Sequence, residues 1–375
     1  MNVVFTCGGT GGHINPAIAV ANIWKERYPD ARILFVGSGD DLERELVSKA
    51  GYELVGVPAH GLWRGKSFKA ITGNLRAVRT TLKGIRTCKK LFKKFKPDIV
   101  VGTGGFASFQ ALRAGYSLGI PTCVHESNAM PGLTTKMAAK FVDKVLVCFH
   151  ESVQHYPNKE KVEIVGMPVR REFIYTKKQD ARRELGLDHR PVILSAFGSQ
   201  GAKVMNEAMA EMFRIEQDAG FPFQHIHAVG AYGWSWMPGL VKEKGVDINC
   251  TDAIRMQEYI YNMPSVMAAA DVVISRAGAS TCNEIAASGT PCILIPSPNV
   301  TDNHQEKNAR ALERGGGAVV VLEKDCTAQR IYDEVKAIAE HPERALQMQK
   351  ALQQEVIVDS AERVCGIMEE LLKRG

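Results

Sequence analysis

The chain has 375 residues, 45% of them apolar and 23% charged, with a formal net charge of +6. That length is too great for one ordinary core and comfortable for two, and the balanced composition excludes a disordered or low-complexity chain. The nine cysteines are scattered, odd in number and never in a Cys-x-x-Cys pair, which argues against a disulfide scaffold or structural zinc and for a reducing compartment.

In chain order, Val3-Val4-Phe5-Thr6 reads as a buried strand with no cationic, cleavable leader before it. Gly8-Gly9-Thr10-Gly11-Gly12-His13 follows directly, ahead of a helix expected to start at Pro16. Four glycines let backbone N–H groups approach an anion, and the helix N-terminus adds a favourable dipole. The spacing is neither the Gly-x-Gly-x-x-Gly of a dinucleotide site nor an ATP-type phosphate loop. His13, at the mouth of this turn, is a candidate general base. The second strand, 32–36, runs into Gly37-Ser38-Gly39 with no acidic residue closing it, which argues against a nicotinamide-dependent oxidoreductase.

Between residues 54 and 97 there is no acidic residue but there are twelve Lys and Arg, so the rest of the chain nets −6. Leu75, Val78, Leu82, Ile85, Cys88 and Phe92 recur there at helical spacing, predicting an apolar stripe packed on a sheet. Arg76, Arg79, Lys83, Arg86 and Lys90 form a basic flank beside it. With few aromatics and no nucleic-acid module, the basic excess suggests an anionic membrane surface or a diphosphate rather than RNA or DNA. Trp63, Phe68 and Ile71 are candidates to dip into such a surface, beside Arg64, Lys66 and Lys69. No apolar run approaches bilayer length.

Two later stretches repeat one plan. Asp98-Ile99-Val100-Val101 enters Gly102-Thr103-Gly104-Gly105-Phe106-Ala107-Ser108, a helical stretch, then Gly119-Ile120-Pro121-Thr122-Cys123-Val124. Asp271-Val272-Val273-Ile274 enters Ser275-Arg276-Ala277-Gly278-Ala279-Ser280, a helical stretch, then Gly289-Thr290-Pro291-Cys292-Ile293-Leu294. Each is a βαβ unit of a parallel sheet covered on both faces, so the fold class is α/β with two doubly wound domains. A last strand at 162–165 leaves the first domain, and Pro191-Val192-Ile193-Leu194 opens the second. The expected division is 1–163, 164–345 and a helical tail, 346–375. In the second domain Gly198-Ser199-Gln200-Gly201 and the turn before Ala279 are diphosphate-ready, and Glu284 suits the hydroxyls of a ribose.

These motifs, together with His125-Glu126-x-Asn128, Gly166-x-Pro168-Val169-Arg170 and Asp302-Asn303-His304-Gln305, stand in the order seen in the MurG family. The chain resembles those UDP-N-acetylglucosamine transferases along nearly its whole length. The resemblance implies a GT-B fold, two Rossmann-like domains facing a cleft, with the C-terminal helix packing back on the first. It implies an inverting transfer of N-acetylglucosamine from UDP-GlcNAc to the muramyl sugar of lipid I, giving lipid II for peptidoglycan. Implied donor contacts are Thr10, Gly11, Gly12, Asn128, Arg170, Ser199, the main chain near Ile260, then Ala279, Ser280, Thr281, Cys282, Asn283, Glu284 and Gln305. Gly104, Gly105, Phe106, Ser108 and Glu126 would meet the acceptor, with His13 as catalytic base. No Asp-x-Asp motif offers a metal site, so no metal or other cofactor is expected, and helix-start amides with Arg170 would steady the leaving diphosphate. The implied setting is peripheral, on the cytoplasmic face of the bacterial membrane, among further cell-wall synthesis proteins. Phe197, Ser127 and His304 depart from the family's usual Gly, Gln and Gln. Other GT-B enzymes, on a diacylglycerol acceptor or as epimerases, and a non-catalytic nucleotide-binding protein are the competing readings.

Overall fold

A computed structural model of the chain describes residues 1–59, 68–128, 130–248, 251–300, 303–354 and 356–373, and for 68–76 the backbone alone. It divides into two compact units, Met1–Arg170 with Asp359–Gly375, and Arg171–Val358.

In the first unit strands alternate with helices: β1 (Asn2–Thr6), α1 (Gly11–Arg27), β2 (Arg32–Gly37), α2 (Asp41–Lys49), β3 (Glu53–Gly56), α3 (Phe68–Phe95), β4 (Ile99–Gly102), α4 (Phe106–Tyr116), β5 (Thr122–Glu126), α5 (Leu133–Ala138), β6 (Lys144–Val147) and β7 (Val162–Ile164). The sheet order is β3-β2-β1-β4-β5-β6-β7. Every pair is parallel. The order reverses between β1 and β4, the place where such sheets leave a crevice at their carboxyl ends. Val3 and Phe5 of β1 pack on one face with Trp24 of α1, while Val4 packs on the other with Phe92 and Leu112. That alternation is the pleat at work: with both faces covered, every residue of the strand can be apolar.

The second unit begins with α6 (Glu172–Tyr175) and α7 (Lys178–Glu184). It continues through β8 (Val192–Ala196), α8 (Lys203–Asp218), β9 (Gln224–Ala228), α9 (Met237–Glu243), β10 (Ile254–Gln257), α10 (Met263–Ala269), β11 (Val272–Ser275), α11 (Ala279–Ser288), β12 (Cys292–Leu294), α12 (His304–Arg314), β13 (Ala318–Val320), α13 (Ala328–Ala339) and α14 (Pro342–Gln354). Its parallel sheet runs β10-β9-β8-β11-β12-β13, again reversing beside the first strand. The repeated plan in the sequence is therefore β4-α4-β5 in one sheet and β11-α11-β12 at the equivalent place in the other.

The tail from 346 does not act as one piece. Met348 and Leu352 of α14 stay in the second unit, where Leu352 closes on Gly317. The last helix, α15 (Ser360–Lys373), belongs to the first unit and buries Val364, Cys365, Met368 and Leu371 beside α1. Arg27 and Glu369 pair across that contact at 3.0 Å.

The apolar stripe expected on α3 needs correction. Cys88 and Phe92 are buried and Ile85 is half-buried, but Val78 and Leu82 are 52% and 50% exposed. Ala77 and Gly84 turn inward instead. A Cβ at Gly84 would overlap the side-chain amide of Gln110 on α4, and with Ala77 and Gly84 turned inward Val78 and Leu82 point outward. Exposed Arg79, Lys83, Arg86 and Lys90 share the helix surface with them. Trp63, Arg64 and Lys66 lie outside the described residues, as do the side chains of Phe68, Lys69, Ile71, Leu75 and Arg76.

Candidate active site

Helix α1 starts at Gly11, earlier than Pro16 suggested, so His13 stands in the helix's first turn rather than in a loop. Pro16 lies inside this helix, where it leaves the Gly12 carbonyl without its usual intrahelical donor. The imidazole Nδ1 lies 2.9 Å from Gly8 O. A carbonyl only accepts, so Nδ1 carries a proton, and Nε2 is the nitrogen left to bond elsewhere. The main chain of His13 is held too, its carbonyl accepting from Thr103 Oγ1 at 2.6 Å.

The turn after β4 closes on the same place. A Cβ on Gly104 would stand 2.9 Å from His13 Nε2, and one on Gly105 would stand 2.8 Å from Gly8 Cα. Both glycines have positive φ, 111° and 88°. Conformation and contact each demand glycine here. Phe106 is exposed at the start of α4, whereas Ser108 is buried and its hydroxyl packs under Gly102. Of the expected acceptor residues, Gly105 and Phe106 therefore reach the surface at the end of the sheet, whereas Gly104 and Ser108 are buried.

Glu126, at the carboxyl end of β5, is also turned inward. One carboxylate oxygen accepts from the N–H and side-chain amide of Asn128 at 3.0 and 2.9 Å, and the other accepts from Gly132 N at 2.9 Å. It shapes the loop that presents Asn128. Neighbouring His125 is buried, its Nε2 2.9 Å from Gly166 O, which fixes the turn leading to Arg170. Burial holds the His125 imidazole below its usual basicity.

A residue the sequence reading passed over is Glu43. It lies in the first turn of α2, fully buried. One oxygen accepts from Gly9 N at 2.8 Å and Ser38 Oγ at 2.9 Å, and the other accepts from Gly39 N at 2.7 Å. The end of β2 thus does carry a carboxylate, delivered from the following helix, and it is consumed by its own loops. Gly37 makes room for it, since a Cβ there would sit 2.4 Å from Glu43 Oε2. The signal in the sequence was Gly37-Ser38-Gly39 followed by an acid one helical turn in.

In the second unit the turn after β8 bends at Gly198 and Gly201, with φ of 89° and 76°. Gly201 meets the chain just after β9 so closely that its Cβ would overlap Val229 O, and a Cβ on Gly230 would overlap the main chain of Gly201. Ser199 sits half-buried at the bend. Phe197 points into the core, which is why a large side chain is admitted where the family usually has glycine. The turn after β11 leads into α11, whose N-cap is Gly278. Cys282 N is the first to bond back, to Gly278 O at 2.9 Å, so Ala279, Ser280 and Thr281 present their N–H groups outward. Cys282 is buried and its thiol is pushed up to about 12 by desolvation, so it contributes packing rather than reactivity. Asn283 Nδ2 donates to Ala279 O at 2.8 Å, and half-buried Glu284 follows one position on.

Ile260, beyond β10, is only 2% exposed, so what it can offer a ligand is main chain. Gln305, in the first turn of α12, has its Oε1 held by Ser297 N at 2.9 Å, which aims its amide N–H groups. Asn308 ties the same helix to Ala277 O at 3.1 Å. Each unit thus collects its expected residues at the carboxyl ends of its own strands.

Comparison with known proteins decides the family. Residues 3–147 match the glycosyltransferase family 28 N-terminal domain and residues 192–364 the C-terminal domain of the same family. The chain belongs to glycosyltransferase family 28. This family 28 chain is 39% identical over 372 residues to the "UDP-N-acetylglucosamine--N-acetylmuramyl-(pentapeptide) pyrophosphoryl-undecaprenol N-acetylglucosamine transferase" of Thermoanaerobacter sp. (strain X514), covering 99% of this chain and 100% of that one. Among solved structures, the Acinetobacter baumannii MurG crystal structure aligns with a TM-score of 0.69 at 22% identity, over 98% and 99% of the two chains. The Neisseria meningitidis UDP-GlcNAc 2-epimerase bound to UDP-GlcNAc aligns at 0.67 with 14% identity, over 100% of each. Those two likenesses are of fold. The two Rossmann-like units are the GT-B architecture expected from the motifs.

Proposed function

We infer that this family 28 glycosyltransferase is an inverting hexosyltransferase. It moves N-acetylglucosamine from UDP-GlcNAc to the muramyl sugar of lipid I, giving lipid II for peptidoglycan synthesis. One observation carries this reading: 39% identity to a transferase of that name along essentially the full length of both chains. A fold shared with epimerases does not outweigh it, and the diacylglycerol and nucleotide-binding alternatives have no comparable support. The test is transfer of labelled N-acetylglucosamine from UDP-GlcNAc to a lipid-linked muramyl-pentapeptide. Release of free UDP without a disaccharide product would refute it.

In the proposed mechanism the acceptor hydroxyl attacks the anomeric carbon from the face opposite the diphosphate. The carbon–oxygen bond to UDP breaks as the new glycosidic bond forms, and the centre inverts. His13 Nε2 takes the hydroxyl proton. The diphosphate leaves with its negative charge, met by the N–H groups at the start of α11, by Ser199 and by Arg170. Glu284 accepts from the ribose hydroxyls, main chain at Ile260 reads uracil, and Asn128 and Gln305 hold the sugar. Thr10, Gly11 and Gly12 contact the donor from the first unit. Gly104, Gly105, Phe106 and the Glu126-braced loop form the acceptor side.

The acceptor carries a polyprenyl tail, and no helix among the described residues is long and apolar enough to cross a membrane. We propose that the enzyme works peripherally at the cytoplasmic face, held by α3. Val78 and Leu82 stand out among exposed Arg79, Lys83, Arg86 and Lys90, a combination of apolar and cationic groups suited to an anionic interface. Vesicle co-sedimentation should need anionic lipid, weaken with salt and drop for Leu82→Ser with Arg79→Glu and Lys83→Glu. Equal binding to neutral vesicles would refute it. Association with other cell-wall synthesis proteins is a further expectation of the same setting.

A further inference from the structure

The Gly8–Gly9 peptide unit is bonded on both sides. Its N–H donates to Glu43 Oε1 at 2.8 Å, and its carbonyl accepts from His13 Nδ1 at 2.9 Å. A buried carboxylate and an imidazole are therefore joined through one peptide plane. A peptide whose N–H is bound to an anion has a more electron-rich carbonyl, and chains of hydrogen bonds strengthen one another in this way.

We propose that Glu43 is a positioning residue for the transfer reaction, acting through the Gly8–Gly9 peptide to hold His13 as the Nδ1–H tautomer and to stabilise its imidazolium. This rests on His13 being the base. When the acceptor oxygen bonds to the anomeric carbon, its proton passes to Nε2, and the positive charge on the ring faces a carbonyl backed by a carboxylate. The proton on Nδ1 does not move. The arrangement does what a carboxylate in direct contact with histidine does in hydrolase triads, with a peptide interposed.

The supporting geometry is specific to this corner. Glu43 is fully buried, yet all its described hydrogen bonds come from the two loops at the ends of β1 and β2, through Gly9, Ser38 and Gly39. Its own N–H is held by the Asp40 side chain at 2.9 Å, which fixes the helix start that delivers it. The other titratable or charged groups facing this corner are Asp40 and Arg44 around α2, Cys7 after β1 and His125 on β5. A carboxylate that served only to tie loops together would be equally well placed without His13 bonding to the far side of the same peptide.

The experiment compares Glu43→Gln, His13→Ala and the double variant with the native enzyme, using UDP-GlcNAc and a lipid-linked muramyl-pentapeptide, with thermal unfolding to check folding. Glu43→Gln should lower kcat roughly tenfold or more while donor affinity by calorimetry stays unchanged, because general-base catalysis is typically worth about 10²–10⁴-fold. In the His13→Ala background the Glu43→Gln change should have no further effect. Additive losses, or a loss of donor affinity that matches the loss of kcat, would reduce Glu43 to a structural tie and overturn the proposal while leaving His13 as base. Near-native turnover in His13→Ala would instead overthrow the base reading and this inference with it. A measurement on the native enzyme guards against a variant that fails to fold. Nitrogen NMR of labelled histidine should find neutral His13 as the Nδ1–H tautomer, and an Nε2–H tautomer would refute the relay.

Discussion

Gly105 lies directly against Gly8, so near that a single methyl group on Gly105 would come within 2.8 Å of the Gly8 Cα and 2.9 Å of its carbonyl oxygen. That carbonyl is the one holding His13. The loop after β4 and the loop after β1 are consequently one mechanical unit, and their contact depends on the absence of two side chains.

Gly105→Ala tests this. The residue has φ of 88°, where L side chains are strained, and its new methyl would push on Gly8. Turnover should fall by orders of magnitude while binding of UDP, whose uracil and ribose contacts we propose for the second unit, changes little. A folded variant with native kcat would show that the two loops move independently.

Glu284→Ala should weaken UDP-GlcNAc binding without unfolding the chain. Charge-assisted hydrogen bonds to two ribose hydroxyls are worth about 1.5–3 kcal/mol each at most. Calorimetry on a folded variant decides the matter, and unchanged UDP affinity would remove the ribose assignment.

Acid should destabilise the second unit through His227. In its core Ser195 Oγ lies 2.7 Å from both His225 Nε2 and His227 Nδ1, and Glu216 is 2.8 Å from His225 Nδ1. Burial, with the nearby His225, drives the His227 value down from 6.5 to about 3. Between those values the unfolded chain binds the proton and the folded chain refuses it. Stability is therefore fully present above about pH 6.5 and is lost as pH falls, by about 1.4 kcal/mol per unit towards pH 3. Urea midpoints measured across this window should fall less steeply for His227→Phe than for the native chain, and parallel curves would refute the assignment.

Met368→Ala should destabilise the first unit by about 2–5 kcal/mol, the usual cost of emptying a packed methionine site. Met368 is fully buried on α15 beside α1. Denaturant unfolding followed by a probe in each unit should show the loss in the first unit only.

Much of this architecture was readable from residues alone. Continuous β-branched runs ending in glycine mark parallel strands whatever lies around them, so the two βαβ echoes located β4-α4-β5 and β11-α11-β12 without any contact information. The glycine turns were legible because positive φ and close approach leave few other residues possible. What could not be read was which way a side chain turns once packed. Ser108 and Glu126 sit in motifs that look exposed, yet one packs beneath Gly102 and the other is spent on its own loop. The stripe on α3 failed for a similar reason: Gly84 looks neutral in a periodicity count, but it is turned inward against Gln110. Glu43 was overlooked because its partners are main-chain amides from two loops that only the folded sheet brings together.

The place of α15 in the first unit has a consequence for how this protein is made. Translation delivers β1 through β7 first and the whole of the second unit next, and only then the helix that covers α1. The nascent first domain must leave the tunnel with the seat of Val364, Met368 and Leu371 unfilled, an apolar face open to chaperones and to its neighbours for as long as the second half takes to emerge. A stop codon or tag that disturbs the final helix would thus be felt in the domain synthesised first, far from the lesion in sequence.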